Sequence, residues 1–180
     1  IVSLGGGAAT GLGKALRLEL DLPSAAVPTT YAASEQTNIW GISSDGDKET
    51  GRDDRVRPDR VVYDPALSRA LPLPLSVQSL LNAMAHPVSA LSTGELDDED
   101  VALRAITRAY DAARALVLDP HDEDARRLAL EATALAGRVL DTGALGAHHK
   151  RVHALGGAHD LPHAGLHSIL LVQTVAELEP

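Results

Sequence analysis

The 180 residues contain no cysteine and no phenylalanine, with a single tryptophan and a single methionine. Without cysteine there are no disulfides and no thiolate chemistry, and any metal must be held by imidazole, carboxylate or amide groups. Without phenylalanine the core must be built from Leu, Val, Ile and Ala. Basic residues are also scarce: 16 Lys and Arg against 25 Asp and Glu give a net charge of −9. That balance excludes the phosphate-neutralising surface that nucleic-acid binding requires. No apolar run approaches the roughly 18 residues of a membrane span. The opening Ile1–Gly7 lacks the basic leader and cleavage site of a signal peptide.

What is present divides into two halves. Over residues 1–70 the pattern is α/β. A short apolar strand, Ile1–Leu4, runs into Gly5-Gly6-Gly7, and a helix follows from Thr10 to about Leu20. Ala25–Pro28 and Asn38–Ser43 read as further strands, Ser44–Asp59 as a loop or hairpin, and Arg60–Tyr63 as a short strand closed by Asp64-Pro65. Residues 71–180 read as all-α. Ser76–Ser89 carries Val77, Leu80, Leu81, Met84 and Val88 at helical spacing, with Pro87 expected to kink or end it. An acidic stretch, Glu95–Asp100, leads into a helix expected to bury Val101, Ile106, Tyr110, Ala113 and Val117 and to stop at Asp119-Pro120. Helices are expected at about Asp122–Leu140, at Thr142–Leu155 with Gly156-Gly157 as its stop, and at His163–Glu177. The fold class is thus a Rossmann-like nucleotide-binding portion followed by an all-α domain.

The glycine turn, Gly5-Gly6-Gly7-Ala8-Ala9-Thr10, lets a backbone approach an anion at a helix N-terminus. It matches neither the P-loop spacing, which Ala8 and Ala15 break, nor G-x-G-x-x-G, which Thr10 breaks. An ordinary tight turn is the bland alternative, although three consecutive glycines are costly for that purpose. The second feature is histidine. Six of the eight fall between His148 and His167. Asn82 and His86, His149 and His153, and His163 and His167 are each spaced i, i+4, so each pair shares a helix face. Imidazole and amide donors suit Fe, Zn, Ni or Co, acting as a Lewis acid on a carbonyl. Without a metal, protonated imidazoles can supply the same pull and a proton. Any one histidine is more often a surface or satisfied core residue; it is the joint pattern that points to a site. His148 is expected to face away from His149's site, His121 to lie in a loop and His159 in a glycine-rich turn.

These stretches resemble the maleylacetate reductase branch of the iron-containing alcohol dehydrogenases. Gly5–Lys14 resembles GGGSATGLGKA, Val27–Gly41 resembles VPTTYAGSEMTPIWG, Leu81–His86 is similar to LNAMAH, and His148–His167 follows HHKLCHTLGG…LPHAETH. The resemblance implies a dehydroquinate synthase-like fold, incomplete at both ends here. It also implies a cytoplasmic enzyme that uses NADH or NADPH to reduce maleylacetate to 3-oxoadipate in aromatic degradation. Carried over by position, Gly5, Gly6, Gly7 and Thr10 contact the pyrophosphate, and Thr29, Thr30, Thr37 and Lys48 line the nucleotide and ribose. Asn82, His86, His149 and His163 occupy the metal-ligand places, with divalent Fe or Zn as the candidate ion, and His153 faces nicotinamide and substrate. His86, His149, His153 and His163 are the catalytic candidates. The expected partners are a small-molecule substrate and, at full length, a second copy of the chain.

Asn82 stands where metal-dependent relatives carry Asp, which removes a negative charge and weakens cation binding. Other departures are Ala8 for Ser, Ala33 for Gly, Ser89 for Glu and Gly165-Leu166 for Glu-Thr. The alternatives are a metal-dependent alcohol dehydrogenase and a non-catalytic fragment.

Overall fold

The computed structural model describes residues 1–44, 47–94, 96–143, 146–159, 161 and 163–177; the side chains at 43, 44, 47, 48, 153, 163 and 164 are outside that description. Strand β1 (Val2–Gly5) pairs in parallel with β2 (Ala25–Pro28), which pairs in parallel with the two-residue β5 (Arg60–Val61). Helix α1 (Gly7–Glu19) makes the crossover between β1 and β2. The expected third strand is β3 (Ile39–Ser44), but it does not join this sheet. It forms a separate antiparallel hairpin with β4 (Asp47–Arg52), with Trp40 directly opposite Gly51. A Cβ on Gly51 would lie 2.8 Å from the indole, so only glycine lets that ring lie flat across the hairpin.

After a short helix α2 (Pro65–Ser68), the rest of the described chain is helical: α3 (Leu73–Thr93), α4 (Glu99–Leu118), α5 (Glu123–Thr142), α6 (Ala147–His159) and α7 (His163–Ala176). No described helix is long and apolar enough to cross a membrane. Carboxylates set two of the starts. Asp98 accepts from the Val101 amide, and Asp122 from the amides of Asp124 and Ala125, each followed by two more acids in the first turn. Gly94, with φ of 69°, ends α3 in the left-handed conformation.

Three expectations change. Pro87 does not end α3, which continues to Thr93 although its ring removes one hydrogen bond. The helix persists because it is the centre of the domain, with Ala83, Ala85, Val88 and Ala90 buried and α4, α5, α6 and α7 all packed on it. On α4 Val101 is buried and Ile106 and Ala113 half-buried as expected, but the rest of the buried stripe is Ala102, Ala105, Ala109, Ala112 and Leu116, whereas Tyr110 and Val117 are exposed. Methyl groups let α4 and α5 approach closely, so packing selected the small face over the bulky one. Gly156-Gly157 lies inside α6, which runs to His159.

The two halves meet where α5 passes the turn at 33–36. Here a Cβ on Gly137 would come 2.6 Å from the Gln36 Cβ and 2.7 Å from the Ala33 carbonyl oxygen. Ala33 itself has φ of 70° and is fully buried. A left-handed alanine costs about 1–2 kcal/mol, partly offset by about 0.8 kcal/mol for its buried methyl. That is the position at which the family resemblance has glycine.

Gly137→Ala should therefore destabilise the fold by about 1–3 kcal/mol in urea unfolding, even though alanine is the better helix former. By contrast Gly11→Ala, whose Cβ meets nothing within 4 Å, should be neutral or stabilise α1 by up to about 1 kcal/mol.

Candidate active site

The cleft is built from the seam between the halves. It has a volume of about 470 Å³ and is lined by Gly7, Gly11 and Lys14 of α1 and by Asn82, His86 and His149 of the helical half. Trp40, Gly41 and Thr50 of the hairpin also line it. Helix α1 starts at Gly6 with no side-chain cap, so its first amides are not consumed by the chain's own side chains. A Cβ on Gly6 would press on Thr30 at 3.0 Å, whereas Gly7 and Gly11 face open space.

The hairpin is held from both sides. Arg52 donates to the Asp141 carbonyl at 2.8 Å, the Leu140 carbonyl at 3.3 Å and the Asn38 side chain at 3.1 Å. Its guanidinium thereby satisfies carbonyls at the C-terminal end of α5. The Asp141 carboxylate in turn accepts from the Asn38 amide at 2.9 Å and pairs with Arg57 at 2.7 Å. From the other side Lys14, only 3% exposed, donates to the carbonyls of Ser34 at 2.6 Å and Ile39 at 2.7 Å and to the Thr37 hydroxyl at 3.0 Å. Burial lowers its pKa to about 8, against the upward pull of Glu35 and Asp141. Glu35 is buried as well, and desolvation raises its pKa although the Tyr63 hydroxyl donates to it at 2.9 Å.

In the helical half, imidazoles from three helices meet. His86 of α3 stacks on His149 of α6 with ring centroids 4.7 Å apart, and His167 of α7 lies 4.8 Å from His149 and 6.2 Å from His86. The Ser89 hydroxyl lies 3.1 Å from His149 Nδ1. His148 does not face away: it is 2% exposed, with Nε2 2.9 Å from His167 Nδ1 and Nδ1 2.8 Å from the Thr174 hydroxyl. The helical angle between His148 and His149 was misleading because α7 packs on the other side of α6 and buries the second ring. Desolvation, with Arg151 acting in the same direction, lowers the His148 pKa, which favours a neutral ring. Asn82 Oδ1 is buried with no hydrogen-bond partner among the described residues. No carboxylate lines the cleft among the described residues.

Residues 76–178 match the family model for the C-terminal domain of Fe-containing alcohol dehydrogenases. The chain belongs to the iron-containing alcohol dehydrogenase family. It is 45% identical over 178 residues to maleylacetate reductase 1 of Cupriavidus pinatubonensis, covering 98% of this chain and 50% of that protein. It is also 45% identical to the maleylacetate reductase of Sphingobium indicum, covering 99% and 51%. The crystal structure of maleylacetate reductase from Rhizobium sp. strain MTP-10005 superposes with a TM-score of 0.92 at 42% identity, over 99% of this chain and 51% of that one. The chain thus spans about half the length of the curated relatives it matches. A sulfoacetaldehyde reductase from Bifidobacterium kashiwanohense, solved with NAD⁺, shares the fold at 21% identity.

Set against the family's site residues, the structure brings Gly7, Asn82, His86 and His149 to one cleft. Gly5 and Gly6 form the turn behind it, where the Thr29 amide donates to the Gly5 carbonyl at 2.9 Å and Thr30 flanks Gly6. Thr10 and Thr37 are buried beneath the surface, and the Thr37 hydroxyl donates to the Ser34 carbonyl at 3.0 Å while accepting from Lys14. The side chains of Lys48, His153 and His163 are outside the described residues. His121 is exposed in a turn as expected, and exposed His159 lies in α6 instead of a turn. Sequence reasoning missed Lys14, Trp40 and Thr50 as cleft residues and His148 and Thr174 as partners of the cluster. A signal for Lys14 was present: it shares a face of α1 with Gly7 and Gly11.

Lys14 has its pKa depressed by folding, so between about pH 8 and the unfolded value of 10.5 the unfolded chain holds more protons and stability rises with pH. The stability of the wild type relative to Lys14→Met should therefore grow by about 2 kcal/mol between about pH 8 and about pH 10 in paired urea unfolding. A difference independent of pH would place the ammonium in water.

Proposed function

We propose that this chain carries the cleft of a cytoplasmic, nicotinamide-dependent reductase that reduces the conjugated C=C bond of maleylacetate, or a substituted analogue, to the 3-oxoadipate product. The observation that carries this reading is a single cleft lined both by the helix that follows an uncapped glycine turn and by an amide–imidazole cluster. The glycine turn suits a pyrophosphate: Gly7 and Gly11 have open space where a Cβ would stand, and no side chain caps the first amides of α1. Gly5, Gly6, Gly7, Thr10, Thr29, Thr30, Thr37 and Lys48 are assigned to the nucleotide side. A bound NADH or NADPH supplies the hydride. Hydride arrival at one alkene carbon drives charge onto the conjugated ketone oxygen, and the other alkene carbon takes a proton. His86, His149 and His163 are assigned to hold that oxygen, and His153 to the proton at the reacting carbon. A cleft wall with no carboxylate among the described residues, and with the Lys14 ammonium beneath it, suits a dianionic substrate in a chain that is otherwise acidic.

A second reading keeps the cleft but places divalent Fe or Zn on Asn82, His86, His149 and His163. It is favoured by the unsatisfied Asn82 oxygen, a neutral donor of the type such ions accept. Four neutral donors leave the cation's charge uncompensated, so the lead reading expects turnover to change less than about twofold after chelation. A loss restored by Fe²⁺ or Zn²⁺ would favour the metal-dependent dehydrogenase.

The direct test is NADH and NADPH oxidation with maleylacetate, and a folded protein that oxidises neither would end this proposal. His153→Ala should lower kcat by about a hundredfold while the KM for NADH moves less than about threefold. Equal losses in both would remove its assigned role. Gly7→Ala should leave the unfolding midpoint unchanged, because its methyl meets no protein atom, yet raise the KM for the nucleotide about tenfold or more by standing where phosphate approaches.

A further inference from the structure

The His148–His167–Thr174 chain is buried, is set by geometry, and has no part in the reading above. We infer that Thr174 and His148 are positioning residues that fix the tautomer of His167, making its Nε2 a hydrogen-bond acceptor within the imidazole cluster. The Thr174 hydroxyl has one hydrogen, and it is committed to the Leu170 carbonyl one turn back at 3.0 Å. Toward His148 Nδ1, at 2.8 Å, the hydroxyl oxygen therefore accepts, and Nδ1 carries the proton. A neutral ring protonated at Nδ1 presents a lone pair at Nε2. That lone pair lies 2.9 Å from His167 Nδ1, so His167 donates there and holds its own proton on Nδ1. The remaining ring nitrogen of His167, Nε2, is left with a lone pair.

Burial makes this assignment consequential. His148 and His167 are 2% and 0% exposed and Thr174 is 7% exposed, so water does not compete for these bonds. The His148 and His167 centroids are 5.0 Å apart, and His167 in turn lies 4.8 Å from His149, which lines the cleft. A side chain two turns further along α7 thus sets, through His148 of α6, the hydrogen-bonding sense of a ring in the cluster. The cluster gains an acceptor suited to a hydroxyl, a proton or a cation, and not another N–H donor. This rests on the proposed function only in taking the cluster as the reacting end of the cleft; the tautomer is read without turnover.

The test is long-range ¹H–¹⁵N correlation NMR of the histidine rings in the purified protein, at a pH where they are neutral. In the wild type, His148 and His167 should both carry the proton on Nδ1. Thr174→Val keeps the shape but removes the hydroxyl acceptor, and should shift the tautomer ratio of both rings by about fivefold, the size of one net hydrogen bond. Thr174→Ser should restore the wild-type ratio. Should the valine variant unfold, His148→Leu removes the acceptor one step further on, and His167 alone should then lose its Nδ1 preference. His167 protonated mainly at Nε2 in the wild type overturns the inference, as does a ratio unmoved by either variant. A protein with this tautomer pattern that nevertheless fails to reduce maleylacetate would sink the proposed reaction and leave the positioning role standing.

Discussion

The close approach of α5 to the 33–36 turn is the constraint on which the cleft depends. The missing side chain at Gly137 lets two backbones pass at a distance that any Cβ would block. That contact sets the separation between the sheet-bearing half and the helical half, and so the width of the space between the glycine turn and the imidazoles. Arg52, Asn38, Arg57 and Asp141 then pin the hairpin to the end of α5 just beyond the contact. Lys14 pins it from below. Because the Lys14 and Asn38 ties are buried or half-buried hydrogen bonds, that part of the wall is set by geometry and not by apolar bulk alone.

Charge is distributed with the same economy. Acids cap and solvate the outer helices, where Asp98 and Asp122 hold helix starts. The described cleft wall carries no carboxylate, and Lys14 is its one lysine or arginine. Amide and imidazole groups buried beside one another avoid the desolvation cost of ion pairs, and among the described residues Asn82 Oδ1 finds no hydrogen-bond partner. A buried polar atom of that kind is usually reserved for something that binds.

Much of this was legible in the residues. The β1–α1–β2 unit, the i, i+4 pairing that brings Asn82 and His86 to one face, and the carboxylate-rich helix starts follow from local rules of period and capping. What escaped depended on tertiary packing. Whether Pro87 ends a helix is decided by four neighbouring helices and not by its own ring. The alanine face of α4 is buried because α5 must come close, which no hydrophobicity pattern within α4 reveals. His148 lies one step round from His149, and the difference between surface and cluster is made by α7, a segment that follows it in the chain. The hairpin's exclusion from the parallel sheet likewise reflects pairing with β4 that Ile39–Ser44 alone does not encode.

The single tryptophan of the chain is Trp40, and it sits in the cleft wall, held flat over Gly51. A protein with no other indole has one ultraviolet emitter of its kind, and here that emitter borders the space where a nicotinamide ring is proposed to lie. Its quenching, or energy transfer from it to a reduced dinucleotide, is therefore a native optical gauge of cleft occupancy that needs no label.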